Sequence, residues 1–153
     1  MSNLLIIVLL VIATASSGGF FKPDEWYFNL DKPSWTPPPW AFPVVWTVLY
    51  VAIAAAAYIV IQSEGWGWLA ALWVVHLGLN AAWSGFFFGM RRMDIAFVDV
   101  CFLWTSIAVL IVLFAQVSLL ASLLMVPYLI WVTTAAALNW QVWSMNPDAT
   151  SRA

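Results

Sequence analysis

Three stripes of the chain carry the side chains best suited to holding a ligand. Trp73, His76, Asn80 and Trp83 fall at i, i+3, i+7 and i+10, one face of a helix. An amide and an imidazole flanked by indoles offer hydrogen bonds beside flat apolar surface. Two readings of this face stand: the floor of a ligand site, or glue between helices, since Asn and His hydrogen-bond across packed membrane helices. Trp46, Tyr50 and Ala54 form a second stripe at spacing four, and Trp131, Thr134, Ala135, Leu138 and Asn139 a third. Indoles stack on flat molecules and small residues leave room for them. The three stripes together suit a large, planar, mostly apolar ligand with a few polar atoms.

Other chemistries lack their residues. A retinal Schiff base needs an intramembrane lysine, but Lys22 and Lys32 both lie between apolar runs. Bis-histidine haem needs a second histidine beside His76, and no His/Cys/carboxylate group has metal-ligand spacing, so no metal site is expected. The single Cys101 excludes an intrachain disulfide. Neither a Ser-His-Asp set nor a Gly-rich phosphate loop is indicated, and no general acid–base pair is evident. No side-chain catalytic residue is therefore expected.

The elements that position these stripes are membrane helices. Of 153 residues 65% are hydrophobic and only 8% charged, against about a quarter charged in soluble domains. Runs such as LLIIVLLVIA are apolar all round rather than alternating, which favours helices over a barrel. The reading is an all-α membrane protein, a bundle of five transmembrane helices in a single domain over 1–153. The spans are expected at about 4–21, 42–62, 68–88, 94–116 and 119–143, with a loop at 22–41. Ala13-Thr14-Ala15 has the small-x-small form of a cleavage site. No positive region precedes the apolar core, so the first span is read as retained. Pro127 is expected to kink the fifth span. Gly85-x-x-x-Gly89 supports close helix packing and a homodimer. Asp94 suits the start of the fourth span. Asp99 lies deeper and has three readings: snorkelling, pairing with an arginine, or protonation.

Five spans place the first loop, the loop between spans three and four, and the C-terminus on one side. That side holds Lys22, Lys32, Arg91, Arg92 and Arg152, every positive charge of the chain. The positive-inside rule makes it cytoplasmic, with the N-terminus outside. Net charge is −2 without a basic cluster, which excludes a nucleic-acid partner. Tryptophans near span ends (Trp26, Trp35, Trp40, Trp66, Trp68, Trp140, Trp143) fit an interfacial belt. Trp46, Trp73, Trp83, Trp104 and Trp131 are deeper, and the belt explains them less well.

The stretch 22–50, KPDEWYFNLDKPSWTPPPWAFPVVWTVLY, holds four of the twelve tryptophans and six of the eight prolines. It is stiff, aromatic and flanked by apolar runs, and it reads as a lid continuous with one wall of a pocket. It resembles the signature of the tryptophan-rich sensory protein/translocator protein family (TspO/MBR, the peripheral benzodiazepine receptor group). Asn80-Ala81-Ala82-Trp83 with Phe87-Phe88-Gly89, and Val126–Trp131 followed by Leu138-Asn139, extend the resemblance over essentially the whole chain. It implies a bacterial-type member in a bacterial membrane: a five-helix bundle, commonly dimeric, that binds protoporphyrin IX or related tetrapyrroles and benzodiazepine- or isoquinoline-type drugs, with no required cofactor. It further implies porphyrin transport, sensing or regulation of tetrapyrrole metabolism and oxidative stress, with light-dependent breakdown of bound porphyrin (Trp46 and Trp131 then being the oxidisable groups) or a partner-recruiting structural role as alternatives. Trp46 and Asn80 match positions that hydrogen-bond a ligand carbonyl. Tyr50, Trp131 and Ala135 match pocket walls, and Trp26 and Trp35 match aromatic lid positions. With Trp83, Leu138 and His76 from the stripes, these are the candidate ligand-binding residues. The sterol-recognition pattern of animal members, with its tyrosine and basic residue, has no counterpart in Leu138–Ser144, which weighs against cholesterol. Ser34 stands where some relatives have an aromatic lid residue. Lys22 and Lys32 are candidates for meeting porphyrin propionates.

Overall fold

Seven helical segments and no strand make up the described residues, 2–150, of the computed structural model. Arg152, counted above among the cations, lies outside them. Helix α1 (Asn3–Phe20) starts where the Ser2 hydroxyl accepts from the Leu5 N–H. A short α2 (Glu25–Phe28) follows in the loop, capped by Asp24. Then come α3 (Ala41–Glu64), α4 (Trp68–Ser84), α5 (Met93–Val117) and α6 (Leu119–Met145), with a single 3-10 turn at Pro147–Ala149. Helix α4 runs on as a π-helical turn, Gly85–Gly89, closed where the Met90 N–H donates to the Gly85 carbonyl. Five helical stretches are long and apolar enough to cross a membrane, so the chain is an all-α bundle of the class its composition indicates.

The long helices form a ring. Neighbouring pairs run α1–α3, α3–α6, α6–α5, α5–α4 and α4–α1. The two ends of this ring are packed differently. Away from the loop, Ile53, Ala56, Ala57 and Val60 of α3 interlock with Trp73 of α4, Ile107 and Leu110 of α5, and Met125 and Tyr128 of α6, all at most 1% exposed. Toward the loop, α3 is opened by Phe42, Pro43 and Trp46, and α1 ends in Gly18-Gly19, so side chains no longer meet across the axis. The bundle is thus solid at one end and hollow at the other. Helix α6 continues unbroken through Pro127.

Segment 22–40 lies over the hollow end. Asn146, just past α6, accepts from the Asp31 N–H at 2.9 Å and donates to the Asp31 carbonyl at 2.8 Å. The Trp35 indole donates to Gln141 at 2.9 Å. Arg91 and Asp24 pair at 2.9 Å, both about half exposed. The loop, the α4–α5 turn and the end of α6 therefore share one end of the bundle. Arg92 makes a two-point contact with Asp94 at 2.8 and 2.6 Å. Both arginines are thus occupied by other partners and neither pairs with Asp99, which stays buried with one carboxyl oxygen unpartnered among the described residues.

The Gly85-x-x-x-Gly89 face is taken within the chain rather than left open for a partner. The Phe21 ring lies so close that a Cβ on Gly89 would approach it to 2.7 Å. The absent side chains admit an aromatic ring from the end of α1, not a second helix.

Asn146→Ala is expected to loosen the loop by about 1–2 kcal/mol through loss of its hydrogen bonds to Asp31. The readout is faster hydrogen exchange at the Asp31 amide with exchange in the solid half unchanged.

Candidate ligand-binding site

A cavity of about 810 Å³ fills the hollow end. Of the residues singled out from the sequence, Trp46, Tyr50, Trp83, Trp131, Ala135 and Leu138 line it. Helix α3 supplies Trp46 and Tyr50 one turn apart, their rings stacked at 5.4 Å and 28°. Helix α6 supplies Trp131, Ala135 and Leu138, with the Trp131 ring edge-on to Phe42 at 5.7 Å. From α4 comes Trp83, stacked on Phe87 of the π turn at 5.1 Å. A π turn inserts an extra residue and rotates the later side chains to a new facing, and such turns recur at functional sites. This one brings Phe87 and Phe88 to the cavity together. A smaller apolar groove between α1 and α3, about 290 Å³, shares Ala15, Thr47 and Tyr50 with the main cavity.

Four candidates stand off the cavity. The Asn80 amide is engaged at both ends: the Tyr50 hydroxyl donates to its oxygen at 2.8 Å, and its nitrogen donates to the Tyr128 hydroxyl at 2.8 Å. One amide hydrogen is left over, but Asn80 is buried and off the cavity lining. His76 is fully buried, with Nδ1 against the Trp73 carbonyl and its ring edge-on to Tyr128. The α4 stripe therefore divides: Trp83 faces the cavity, while Trp73, His76 and Asn80 join the packed interior. Trp26 and Trp35 brace the lid from outside, Trp26 edge-on to Phe87 at 6.1 Å and Trp35 on Gln141. The other deep tryptophan, Trp104, is 39% exposed and donates to Thr133 at 2.8 Å.

The sequence did not mark Ala15, Gly18 and Gly19 as cavity lining. Their signal was present in the ATASSGG run, where small residues resemble a cleavage site as much as they do the wall of a void.

Most polar atoms of the wall are committed. The Thr36, Thr47 and Thr134 hydroxyls donate to the carbonyls of Pro33, Pro43 and Ile130. The Trp83 indole donates to Asn139, which in turn donates to the Met93 carbonyl. One exception is the Trp131 N–H, buried without a partner among the described residues. Lys32 is the charged member of the lining. The void is thus bordered by aromatic faces, small residues and one ammonium, with the unpartnered Trp131 N–H buried in its wall. Among the described residues no group of three or more His, Cys, Asp or Glu is placed to hold a metal.

Asn80→Ala is expected to cost about 2–4 kcal/mol, because the buried Tyr128 and the partly buried Tyr50 both lose their partner. Tyr50→Phe, which removes one bond, is expected to cost about 1 kcal/mol. Thermal unfolding in detergent measures the difference.

Residues 6–144 match the model of the TspO/MBR family. The chain is 44% identical over 132 residues to the tryptophan-rich sensory protein of Cereibacter sphaeroides, covering 86% of this chain and 84% of that one. It is 39% identical to Protein CrtK of Rhodobacter capsulatus, covering 87% and 86%. It is 40% identical to the human translocator protein, covering 79% and 75%. A family model spanning nearly all of the described residues, relatives at this identity and five apolar helices agree that the chain is an integral membrane protein belonging to the TspO/MBR family.

Proposed function

We propose that this protein is a membrane receptor for tetrapyrroles, with protoporphyrin IX as the type ligand, acting in porphyrin transport or in sensing for tetrapyrrole metabolism and oxidative stress. The observation that carries this reading is the cavity. Its volume of about 810 Å³ falls within the roughly 300–1,000 Å³ of small-molecule sites. Its walls combine stacked aromatic rings with Ala15, Gly18, Gly19 and Ala135, whose small side chains leave room for a ligand. Planar drugs of the benzodiazepine and isoquinoline type suit the same walls. A homodimer would use a surface other than the Gly85/Gly89 face, which Phe21 covers.

A second reading, light-dependent oxidation of bound porphyrin, is supported by the oxidisable rings that meet the cavity: Trp46 stacked on Tyr50, and Trp131. Faster loss of porphyrin absorbance under illumination than for free porphyrin in the same detergent, slowed in Trp46→Phe, is its expected signature.

For binding itself, Ala135→Trp is expected to fill the void and weaken protoporphyrin IX binding at least about tenfold while the helices stay folded. Tryptophan quenching and circular dichroism measure the two. Unchanged affinity would remove the cavity as the site. For orientation, the basic loops are expected on the cytoplasmic side. Ser34→Cys should then react with a membrane-impermeant thiol reagent in inside-out vesicles and not in intact cells.

A further inference from the structure

We infer that Lys32 is the carboxylate-recognition group of the cavity and makes it selective for acidic planar ligands over their neutral esters. The inference rests on the tetrapyrrole reading above and names the chemical class within it.

The cations at this end of the bundle are not equivalent. Arg91 is paired with Asp24 and Arg92 with Asp94. Lys22 is exposed and off the lining. Lys32 faces the cavity and has no ion pair among the described residues. Its ammonium is held instead by the carbonyls of Phe28 at 3.3 Å and Leu30 at 3.0 Å, and it sits 4.7 Å over the Tyr27 ring. These neutral contacts fix its position without cancelling its charge. An ammonium has three donors, and the two carbonyls leave one for a ligand. Burial pushes the ammonium below its ordinary pKa, against the attraction of the neighbouring Asp31. The site thus holds a partly desolvated cation that an incoming carboxylate would satisfy.

The rest of the wall cannot substitute for it. The threonine hydroxyls that line the cavity donate to backbone carbonyls, and Tyr50 and Trp83 donate to Asn80 and Asn139. The Tyr27 and Ser84 hydroxyls and the Trp131 N–H remain, all of them neutral donors. A carboxylate therefore meets one full charge, at the lid, and the ligand's apolar body lies toward the aromatic walls. Such a carboxylate gains a charge-assisted bond. A methyl ester leaves the ammonium unpaired, and a cationic porphyrin meets like charge.

The test compares protoporphyrin IX with its dimethyl ester, by tryptophan quenching, on the full chain in one detergent. Wild type is expected to favour the free acid about five- to tenfold. Lys32→Gln should bring the ratio to within about twofold by weakening free-acid binding, and Lys32→Arg should keep the preference. Circular dichroism and thermal unfolding in the same detergent show that each variant is folded. If wild type binds both forms equally, or if Lys32→Gln keeps the wild-type ratio, Lys32 is not the selector although the cavity still binds porphyrin. If wild type binds neither form, the tetrapyrrole reading itself fails.

Discussion

The arrangement depends on a single side-chain amide. Asn80 joins Tyr50 on α3 to Tyr128 on α6 through α4, with both bonds at 2.8 Å, the Tyr128 bond fully buried and the Tyr50 bond partly buried at the cavity wall. In an apolar medium an unmade hydrogen bond is costly, so this junction fixes three helices in rotation and depth. Above it the Tyr50 ring stacks under Trp46 and becomes cavity wall. Below it Tyr128 packs into the solid core. The boundary between the packed and the open half of the bundle runs through these two phenols.

The open half is maintained by stiffness rather than by filling. Pro37, Pro38 and Pro39 restrict the loop, and Asn146, Gln141 and Arg91 tie it to the far side of the ring. At the α1 end the Phe21 ring rests on Gly85 and Gly89, so the π turn is held from one side by α1 and supports Trp26 and Tyr27 of the loop through Phe87 on the other. Roof, wall and turn are one aromatic assembly.

Much of this was legible in the chain. Apolar runs without alternation define helices because lipid requires every backbone group to be bonded within its own segment. The Trp46–Tyr50 and Trp131–Leu138 stripes point at the void because period alone fixes helix facing. What period cannot fix is the partner. Asn80 shares a stripe with Trp83, yet its partners lie 30 and 48 residues away in sequence, so ligand floor and helix glue looked alike. The π turn was hidden for a related reason. Gly85 and Gly89 advertise close approach without saying to what, and the answer, Phe21, sits more than sixty positions earlier. Asn146 lay in a tail with no pattern at all. Composition could not separate Lys22 from Lys32, since loop geometry alone puts one outward and the other inward.

The unequal packing of the two ends bears on how the protein's lifetime is set. A molecule that occupies the open half supplies packing the chain lacks there, and it binds only the folded state. Its contribution grows with its free concentration, reaching about 2.7 kcal/mol at a hundred times its dissociation constant. The solid half keeps the helices assembled regardless. Abundance of the protein in the membrane would then follow supply of its occupant, making protein turnover itself a record of how much ligand the bilayer holds.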